Sequence, residues 1–590
     1  MCGIFAYLGP KTDAGNIVLE GLKSLEYRGY DSWGVAIKLS NGKTYVEKHP
    51  GKIGDAELPP MKSKIAIGHT RWATHGGVTE QNAHPHADCN NEIFVVHNGI
   101  VENFEELKKA LIKKGHTFRS QTDTEVISHL LEDKKLPLLD GRLKVVTILD
   151  VFKTLKGLNA IIVFIPKTQE FFAIKNSSPL VFGHNEKTKE YYLSSDYAGI
   201  LQHTDKLYYL EDNQLLSIDR PGHQLFDSSG RKKPITFTTF KINRTTLALG
   251  SFPHYMIKEI SEQPKVISNI VNTYQRTIED LAQKFKHAYG TYLVGCGTAY
   301  YACLAGTYLF SKIAKRHTNA SIGSEFSYLE DFLTPKSLIL ALSQSGETID
   351  IIAPLKKAKE KNVKIAALTN VLGSTLYRMS DYKILLGAGP EKCVLSTKAF
   401  TAKIALLHLL AHSLNGGFAK GATQLKKAVV EIEKILRMKK IQNLAKKFKN
   451  REHIFVLGRG LSYPTALESA LKMKEGSYIH AEAFAGGELK HGVIALIEKG
   501  TPVFVYNPHD ETYEDTLSSA YEVKARGAYV IGLSDKSSPA YDEWIKVGYC
   551  EEATIIPNVV VAQLLGYHLT LARRHDPDKP RNLAKSVTVK

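Results

Sequence analysis

The second residue of the chain places two groups for nucleophilic catalysis on one backbone position. Cys2 follows Met1, so removal of the methionine would leave a thiol and a free α-amine on the same residue. An α-amine has a pKa of about 8 and can take the thiol proton through water at neutral pH. Because a cysteine at position two means nothing in isolation, other motifs must decide whether it is a nucleophile.

A loop rich in hydroxyl groups lies in the second half of the chain. Ser343, Gln344, Ser345 and Thr348 follow a predicted strand, Leu338–Leu342, and open a predicted helix. Hydroxyls, an amide and the free N–H groups of a helix start form a cradle for phosphate. The alternative is an ordinary helix N-cap, which needs only one of these hydroxyls.

Three charged residues further on fall on one face of a predicted helix. Glu468, Lys472 and Glu475 are spaced i, i+4 and i+7. This spacing alone favours a surface ion-pair stripe over a catalytic relay. Lys585, five residues before the carboxyl end, is by position a frayed tail residue.

Periodicity predicts the elements that position these groups. Up to about residue 235, apolar β-branched runs predict strands, and Asn103 is expected to cap a helix that Gly115 ends. A polar stretch then marks a boundary at Pro221, Gly222, Gly230 and Pro234. The predicted strands are Ile65–Gly68, Glu92–His97, Ala160–Phe164 and Tyr191–Leu193, and the helix is Phe104–Lys114.

From about residue 250, strands alternate with longer helices, which predicts βαβ units around parallel sheets. The strands are Tyr292–Val294, Leu338–Leu342, Ile365–Leu368 and Ile384–Leu386. Three segments recur in the same order: Tyr292–Thr298 as Ile454–Gly460, Gly346–Asp350 as Asp510–Glu514, and Ala366–Asn370 as Val530–Asp535. This recurrence predicts a duplicated α/β domain.

Composition limits the class of protein. The 590 residues suggest roughly four domain-sized units, with 43% hydrophobic and 23% charged residues as in globular proteins. No apolar run approaches a membrane helix and no secretory signal begins the chain, so a soluble, cytoplasmic protein is expected.

The net charge of +17 is spread over helical lysines without aromatic platforms, which leaves nucleic acid a minor alternative. Six dispersed cysteines without a C-x-x-C pair argue against disulfides and zinc. His84 with His86 lacks a third ligand at suitable spacing, so polar packing is expected there.

Several ordered motifs in the first 235 residues resemble the class II glutamine amidotransferases. They are Cys2-Gly3, Arg28–Ser32, His69–Gly76 and His97–Gly99. The resemblance implies that Cys2 attacks the glutamine carboxamide and that Asn98 and Gly99 donate to the oxyanion. Arg71 and Asp123 would hold the α-carboxylate and α-ammonium, with Trp72, Thr74 and His75 lining the site. For isolated matches, the alternatives are a surface ion pair between Arg71 and Asp123 and a hairpin turn at Asn98-Gly99.

The hydroxyl-rich loop, with Val394–Lys398, resembles the sugar isomerase (SIS) domains, and Glu468–Glu475 with Gly487–Gly492 resembles a second one. The resemblance implies that Ser343, Gln344, Ser345 and Thr348 bind a sugar phosphate, with Thr298, Val394 and Ser396 lining the sugar site. Lys585 would form a Schiff base, His491 would open the ring from its own or a neighbouring subunit, and Glu475 would move a proton between C1 and C2. Lys472 and Glu468 would support that relay.

An N-terminal glutaminase joined to two SIS domains resembles the glutamine–fructose-6-phosphate aminotransferase family over the whole chain. The expected fold is multidomain α/β and α+β: an N-terminal-nucleophile αββα domain at 1–235, a linker at 236–265, doubly wound parallel-sheet SIS domains at 266–425 and 426–575, and a tail at 576–590. The resemblance implies amide transfer from glutamine to fructose 6-phosphate and isomerisation to glucosamine 6-phosphate, the first step of hexosamine and UDP-N-acetylglucosamine synthesis. It implies a homodimer with no cofactor, no metal, and neither nucleic acid nor membrane as a partner. Trp72 would gate an internal ammonia channel; the alternative is a core aromatic.

The chain departs from the family pattern at Trp33, Ala299, Leu395, Val493 and Lys590, none of which is a predicted catalytic group. Three rival functions make different predictions. Another class II amidotransferase would need an ATP-pyrophosphatase or phosphoribosyl-binding loop, and neither occurs. An isomerase or deaminase using free ammonia would not need Cys2, Arg71 and Asn98. A sugar-phosphate-sensing regulator would bind without turnover and has no use for Cys2, Glu475, His491 and Lys585.

Overall fold

The computed structural model describes residues 2–176, 178–220, 222–239 and 248–588. Met1, Pro221 and Lys590, which figured in the sequence analysis, lie outside these ranges, as does part of the predicted linker. The chain divides into two compact units, residues 1–247 with 586–590, and residues 248–585.

The first unit contains two mainly antiparallel sheets with helices outside them. Its helices are α1 (Ala14–Leu25), α2 (Phe104–Lys113), α3 (Glu125–Asp133) and α4 (Gly141–Thr154). Its strands are β1 (Gly3–Leu8), β2 (Ser32–Leu39), β3 (Thr44–Pro50), β4 (Ser63–Arg71), β5 (His86–Ala87), β6 (Phe94–Gly99), β7 (Asn159–Ile165), β8 (Glu170–Lys175), β9 (Val181–Asn185), β10 (Glu190–Ser194), β11 (Lys206–Tyr209), β12 (Leu215–Ile218), β13 (His223–Phe226), β14 (Lys232–Lys233) and β15 (Thr238–Thr239). The strand orders are β15-β11-β9-β10-β1-β4-β2-β3 and β14-β13-β12-β8-β7-β6-β5.

Alternation along the strands builds the layers, because successive side chains point to opposite faces of a sheet. Phe94 and Val96 of β6 join Ile4 of β1 in the core between the two sheets. Val95, between them, faces Leu111 of α2 and Val126 of α3 in a second core. Since α1 packs on the other sheet, the layer order is helix, sheet, sheet, helix, as predicted.

The predicted strands and helix of this unit are present, with one difference in capping. Asn103 stands at the N-cap of α2 but makes no side-chain cap bond. Its amide instead donates to the Thr154 carbonyl at 3.0 Å and accepts the Lys156 N–H at 2.9 Å. The predicted cap bond is therefore wrong, because the amide ties α2 to the end of α4.

The second unit contains two parallel sheets and a set of long helices. The helices are α5 (Tyr255–Ser261), α6 (Gln263–Thr273), α7 (Gln275–His287), α8 (Thr298–Ala314), α9 (Gly323–Phe326), α10 (Ile349–Glu360), α11 (Thr375–Met379), α12 (Lys398–Ser413), α13 (Phe418–Ile435), α14 (Lys439–Phe448), α15 (Ser462–Ser477), α16 (Tyr513–Ala525) and α17 (Ile555–Ala572). The strands are β16 (Thr291–Gly295), β17 (Asn319–Ile322), β18 (Leu338–Ser343), β19 (Lys364–Thr369), β20 (Tyr382–Leu385), β21 (His453–Gly458), β22 (His480–Ala485), β23 (Pro502–Tyr506), β24 (Tyr529–Ser534) and β25 (Glu543–Lys546).

The duplication predicted from the sequence is confirmed by topology. The two sheets have the orders β17-β16-β18-β19-β20 and β22-β21-β23-β24-β25, so each repeat follows the doubly wound order 2-1-3-4-5. The recurring segments occupy matching places, on the first strand, after the third and on the fourth. In such sheets, ligands bind beyond the carboxyl ends of the strands at the point where the order reverses.

One stretch, Glu551–Ala572, is long and apolar enough to cross a membrane by length and composition, yet 83% of its most apolar window is buried inside the chain. It contains α17, which packs against α14 and α15. This is the pattern of a core helix.

Candidate functional site

The N-terminal cysteine is held at the start of a central strand. Cys2 directly precedes β1, whose Gly3 pairs with Thr70 of β4. The backbone carbonyl of Cys2 accepts hydrogen bonds from Asn98 Nδ2 at 2.9 Å and from Arg28 Nε at 3.3 Å. Its Sγ accepts the Trp72 N–H at 3.2 Å. The thiol therefore lies beside the end of β4 against Trp72, while the Cys2 backbone contacts the motifs that contain Arg28 and Asn98.

Burial raises the pKa of the Cys2 thiol, although Arg71, Arg28 and the Trp72 N–H oppose the effect. The thiol is thus protonated at neutral pH and needs a base to become a nucleophile. The α-amine that the sequence analysis assigned to this task depends on removal of Met1, which lies outside the described residues.

Asn98 and Gly99 form the end of β6 and pair with β7, so the alternative of a hairpin turn at these residues is wrong. Gly99 has φ +138°, and a Cβ there would lie 1.9 Å from the Leu158 carbonyl oxygen. Only glycine fits this backbone position. The adjacent Asn98 amide faces Cys2.

His69 fixes the orientation of that amide, a role that sequence reasoning missed although His69 begins a quoted motif. Its Nε2 lies 3.1 Å from Asn98 Oδ1 and 3.1 Å from the His97 carbonyl oxygen. Two oxygen partners require the proton on Nε2, since burial lowers the pKa of His69 to about 3 and keeps the ring neutral. Asn98 must then point its Nδ2 toward Cys2.

The residues predicted to bind glutamine, Arg71 and Asp123, lie on the same unit. The Arg71 guanidinium donates to the carbonyls of Gly76 at 3.2 Å and Gly77 at 3.1 Å, and also to that of His75. Asp123 accepts the Val101 N–H at 2.7 Å. Arg71 and Asp123 are buried and have separate partners, so the alternative of a surface ion pair between them is wrong.

The rest of the loop that follows Arg71 is more exposed to solvent. Thr74 is exposed, and His75 is half-buried with its ring against Phe104 at 5.3 Å. Trp72 is half-buried and belongs to none of the described hydrophobic cores, which disfavours the core-aromatic alternative. Trp33, a departure from the family pattern, is buried, and its ring lies 4.8 Å from that of His49 in a tilted arrangement.

His84 and His86 pack among other rings rather than converging as a ligand pair. His84 stacks on His69 at 4.1 Å and meets His86 edge-on at 4.6 Å. Burial lowers the pKa of both well below its usual value, so they are neutral. Polar packing, as predicted, describes them.

The hydroxyl-rich loop of the second unit leaves the carboxyl end of β18. Ser343 Oγ accepts the Gly346 N–H at 2.9 Å and lies 3.4 Å from Thr348 Oγ1, while Ser345 Oγ accepts the Glu347 N–H at 3.2 Å. Thr348 is the N-cap of α10 but makes no side-chain cap bond, so the ordinary N-cap alternative is wrong. The loop curls around its own N–H groups at a helix start.

Contacts with two neighbouring residues, Ser374 and Asn370, hold the conformation of this loop. Gly346 has φ +67°, and a Cβ there would lie 2.1 Å from Ser374 Oγ. The Gln344 carbonyl accepts the Asn370 N–H at 3.0 Å, while its side chain is half-buried. The Glu347 carboxylate accepts the Thr375 N–H at 2.8 Å and is thereby engaged at the start of α11.

A buried chain of charges joins the two repeats. Glu468 and Lys472 are fully buried, so the alternative of a surface stripe is wrong. Lys472 Nζ lies 3.4 Å from Glu468 Oε1 and also bonds Glu475, which is partly exposed. Glu468 Oε1 accepts the Thr298 hydroxyl at 3.2 Å. Burial raises the pKa of Glu468 to about 7, with Lys472 opposing, so this carboxyl can carry a proton near neutral pH.

Lys585 lies inside the protein and is not a frayed tail residue. Its Nζ forms an ion pair at 2.6 Å with Glu391, and its side chain is 5% exposed. The chain segment before Lys585 contacts the loop that contains Glu391, because the Val394 N–H donates to the Asp578 carbonyl at 3.2 Å. Ser396 Oγ also donates to Glu391, at 3.3 Å.

Glu391 and Lys403 are residues that sequence reasoning missed. Burial would raise the pKa of Glu391, but Lys585 and the N–H groups of Thr397 and Ala399 lower it to about 2. Lys403 is buried in the field of Glu391, Lys585 and Glu468, and burial lowers its pKa to about 8. The signal for Glu391 was its position three residues before Val394; Lys403 looked like any helical lysine.

His491 stands apart from these groups. It ends a short 3₁₀ turn, Glu488–His491, and its side chain is exposed. Among the described residues it has no hydrogen-bond partner.

Comparisons with known proteins identify domain families in both units. The SIS domain family model matches residues 284–413 and 447–572, and a glutamine amidotransferase domain model matches residues 69–202. Proteins named glutamine–fructose-6-phosphate aminotransferase (isomerizing) from Pyrococcus horikoshii and Thermococcus kodakarensis are each 39% identical to this chain, with all of both sequences covered. The relative of that name from Thermus thermophilus is also 39% identical, over the full length of both.

Solved structures resemble the second unit. The C-terminal domain of glucosamine-fructose-6-phosphate aminotransferase from Francisella tularensis aligns with a TM-score of 0.52 and 34% identity, covering 56% of this chain and 99% of that one. Tagatose-6-phosphate ketose/aldose isomerase from Escherichia coli aligns with a TM-score of 0.50 and 18% identity over 56% of this chain, a likeness of fold alone.

Proposed function

We propose residue roles from the premise that this chain belongs to the glutamine–fructose-6-phosphate aminotransferase (isomerizing) family. Its activity is the transfer of the amide nitrogen of glutamine to fructose 6-phosphate, followed by isomerisation to glucosamine 6-phosphate, with release of glutamate. This reaction begins hexosamine synthesis. The observation that carries the assignment is 39% identity over the full length of relatives of that name, together with a glutamine amidotransferase domain and SIS domains in one chain.

In the glutaminase site, Cys2 attacks the carboxamide carbon of glutamine. Asn98 Nδ2 and the Gly99 N–H donate to the oxyanion, and preorganised donors of this kind are worth about 3–4 kcal/mol each in transition-state stabilisation. Arg71 and Asp123 bind the α-carboxylate and α-ammonium of the substrate, with Trp72, Thr74 and His75 closing the loop around it. Three of the five N–H donors of the Arg71 guanidinium hold the loop carbonyls, which leaves two donors for the α-carboxylate of glutamine.

In the isomerase site, Ser343, Gln344, Ser345 and Thr348 bind the phosphate at the start of α10. Thr298, Val394 and Ser396 line the sugar. Lys585 condenses with the C2 ketone to form a Schiff base, releasing water, and ammonia from the glutaminase site then displaces the lysine at C2. The condensation requires a neutral amine. The ion pair with Glu391 must therefore open as the sugar binds.

Ring opening and proton transfer complete the second half-reaction. Glu475 moves the proton between C1 and C2, and Lys472 and Glu468 hold its charge and position. His491 opens the ring. Its exposed side chain, without a partner among the described residues, supports a role across a homodimer interface.

The remaining proposals concern the setting of the reaction. We propose a cytoplasmic homodimer whose partners are its two small substrates, without nucleic acid or membrane.

The channel role of Trp72 predicts that Trp72→Ala uncouples glutamate release from amino sugar formation. Equal loss of both products together with lowered thermal stability would instead assign Trp72 to packing.

The decisive experiment mixes the purified chain with glutamine and fructose 6-phosphate and quantifies both products by mass spectrometry. Equimolar glutamate and glucosamine 6-phosphate are expected. Glutamate without the amino sugar, or sugar-phosphate binding without turnover, would contradict the assignment and favour a sensor.

A second arm tests the nucleophile. A diazo-ketone analogue of glutamine should alkylate Cys2 alone, and Cys2→Ala should abolish glutaminase activity while leaving fructose 6-phosphate binding intact. Cys296→Ala serves as the matched control. Labelling at Cys296 or Cys303 in peptide maps would overturn the assignment.

A further inference from the structure

Four side chains of the first unit converge at a place that the glutaminase chemistry does not use. Cys89 follows β5, His116 follows α2, and His129 and Glu132 lie one turn apart on α3. One ligand atom from each lies within 4.8 Å of every other. Sequence spacing did not indicate this group, because its members come from three separate segments.

The distances between these atoms resemble the edges of one coordination tetrahedron. Cys89 Sγ lies 3.6 Å from His129 Nδ1 and 3.8 Å from His116 Nδ1. Glu132 Oε2 lies 2.9 Å from His116 Nδ1 and 3.0 Å from His129 Nδ1. Tetrahedral zinc bond lengths correspond to edges of about 3.6 Å between sulfur and nitrogen and about 3.4 Å between nitrogen and oxygen. Of these four of the six edges, both sulfur–nitrogen distances agree within about 0.2 Å, and the carboxylate oxygen would have to move outward by about 0.4–0.5 Å.

Each histidine also has a carboxylate near its other ring nitrogen. His129 Nε2 faces Glu125 Oε1 at 3.6 Å, and His116 Nε2 faces Asp133 Oδ1 at 3.8 Å. Glu125 is itself held by the N–H groups of Arg119 and Ser120, both at 2.7 Å. Metal-bound histidines are oriented by carboxylates in this second position.

The thiol surroundings fit a ligand as well. The Thr117 N–H donates to Cys89 Sγ at 3.5 Å. The His129 side chain is 1% exposed, His116 is 11% exposed and Glu132 is 16% exposed, so the group is shielded without being sealed.

The alternative is a hydrogen-bonded network without a metal. Such a network explains the contacts of Glu132 with the two rings. Within it the thiol would donate its hydrogen to one Nδ1 atom and accept only weakly from the other, so it contributes little to such a network. Convergence of both rings on one sulfur and one carboxylate oxygen is the arrangement of a metal site.

We propose that Cys89, His116, His129 and Glu132 bind one Zn²⁺ ion. Thiolate and imidazole ligands select zinc over magnesium or calcium, and four protein ligands close the site, as in structural zinc centres. The chain between His116 and His129 carries Asp123, so the ion would brace the segment that presents this glutamine-binding residue.

The experiment uses the full chain carrying Cys2→Ala, so that the nucleophile cannot act as a ligand. After chelation and removal of the chelator, Co²⁺ and then Zn²⁺ are added as probes. We expect one equivalent of Co²⁺ with tetrahedral d–d bands and a thiolate charge-transfer band, and its displacement by one equivalent of Zn²⁺. Zinc should also raise the thermal midpoint of the chelated protein.

Variants in the same background locate the site. Cys89→Ser should abolish the charge-transfer band. His116→Gln replaces a more exposed ligand and should weaken zinc binding at least ~10-fold, so it tests the site if Cys89→Ser fails to fold. Glu125→Gln, outside the first coordination sphere, should weaken it about 10–100-fold. Cys296→Ser, a cysteine of similar exposure in the other unit, should bind normally.

Three results would overturn the proposal: less than about 0.1 equivalent of bound metal after dialysis, an octahedral Co²⁺ spectrum without the thiolate band, or equal loss of binding in Cys296→Ser. The first leaves the network without a metal as the correct description. These outcomes are independent of the aminotransferase assignment, which no metal measurement tests.

Discussion

In the first repeat of the second unit, the loop after β18 offers three hydroxyls and an amide, whereas the matching loop after β23 carries His509, Asp510 and Glu511. Asp510 caps its own turn by accepting the Thr512 N–H at 2.8 Å. Glu511 pairs with Lys312 of the first repeat at 2.7 Å. Two carboxylates at this position would repel a phosphate, so the two loops cannot share one ligand.

The helices that follow the first strand of each repeat, α8 and α15, differ in the opposite way, because here the second repeat carries more charged side chains. α8 contains one charged residue, Lys312, near its end. α15 contains the charged set Glu468, Lys472 and Glu475, with two members fully buried. Duplication gave the fold two matching positions at each level. In the proposed mechanism the first repeat binds the phosphate, and the second, the acid–base repeat, moves protons. The hydrogen bond from Thr298 to Glu468 joins the two repeats.

Two buried carboxyls show how far local surroundings set the chemistry. The pKa of Glu391 is lowered to about 2 because Lys585 and backbone N–H groups outweigh the effect of burial. The pKa of Glu468 is raised to about 7 because burial outweighs Lys472. A carboxylate that stays ionised at neutral pH suits holding a lysine, whereas one that titrates near neutrality suits a proton relay.

The largest effect is expected from removing the imine-forming amine. Lys585→Arg keeps the charge that pairs with Glu391 but cannot form an imine. Amino sugar formation should fall roughly 10⁴-fold or more, while glutaminase activity and sugar-phosphate binding persist. Borohydride reduction with fructose 6-phosphate should add the sugar to the peptide containing Lys585 in wild type only. An adduct at Lys472, or product from the variant, would show that another lysine is catalytic.

The next largest effect concerns the acid–base repeat. Glu475→Gln should lower isomerisation about 10²–10⁴-fold, because the amide cannot carry the proton between C1 and C2. Exchange of solvent deuterium into the sugar measures this step directly. The control is Glu514→Gln on α16 of the same repeat, where no change is expected. A normal exchange rate in Glu475→Gln would remove this residue from the relay.

A moderate effect on fructose 6-phosphate binding should distinguish the loop after β18 from the loop after β23. Ser345→Ala removes one phosphate donor and should cost about 1–3 kcal/mol, or roughly 5–150-fold in the Kd for fructose 6-phosphate. Turnover at saturation should survive. His509→Ala, at the matching position of the second repeat, should leave the Kd unchanged. If titration calorimetry finds equal losses in both variants, the division of labour between the loops is wrong.

The smallest effects concern stability against pH. Glu391 has a folded pKa of about 2 against an ordinary 4.5, so its contribution is full above pH 4.5 and is lost as the pH falls toward 2. Glu468 has a folded pKa of about 7, so the folded state holds an extra proton and stability falls as the pH rises from 4.5 to 7. Each effect is at most about 3 kcal/mol, or a few degrees in Tm.

Glutamine variants therefore give opposite signatures in thermal melts. Glu391→Gln should flatten the acid limb below pH 4.5, and Glu468→Gln should flatten the decline between pH 4.5 and 7. Identical pH profiles for the two variants would show that the carboxyls do not differ as described.

The sequence by itself determined the elements and the order of the motifs. Apolar alternation and turn residues placed β6, β18 and their neighbours, because those signals act over a few residues. The recurrence of three short segments indicated the duplication, and the hydroxyl-rich loop could be placed at a strand end for the same local reason. Cys2, Asn98 and Arg71 were recognisable from ordered motifs.

Only the tertiary structure decided which charges are buried and what they touch. Lys585 meets Glu391 across 194 positions and Thr298 meets Glu468 across 170, distances over which no sequence spacing carries information. Burial then turned an apparent surface stripe and a tail lysine into interior ion pairs, because its energetic cost depends on the surrounding protein and not on neighbours in sequence. Cys89 likewise acquired its histidine and carboxylate neighbours only when three segments packed together.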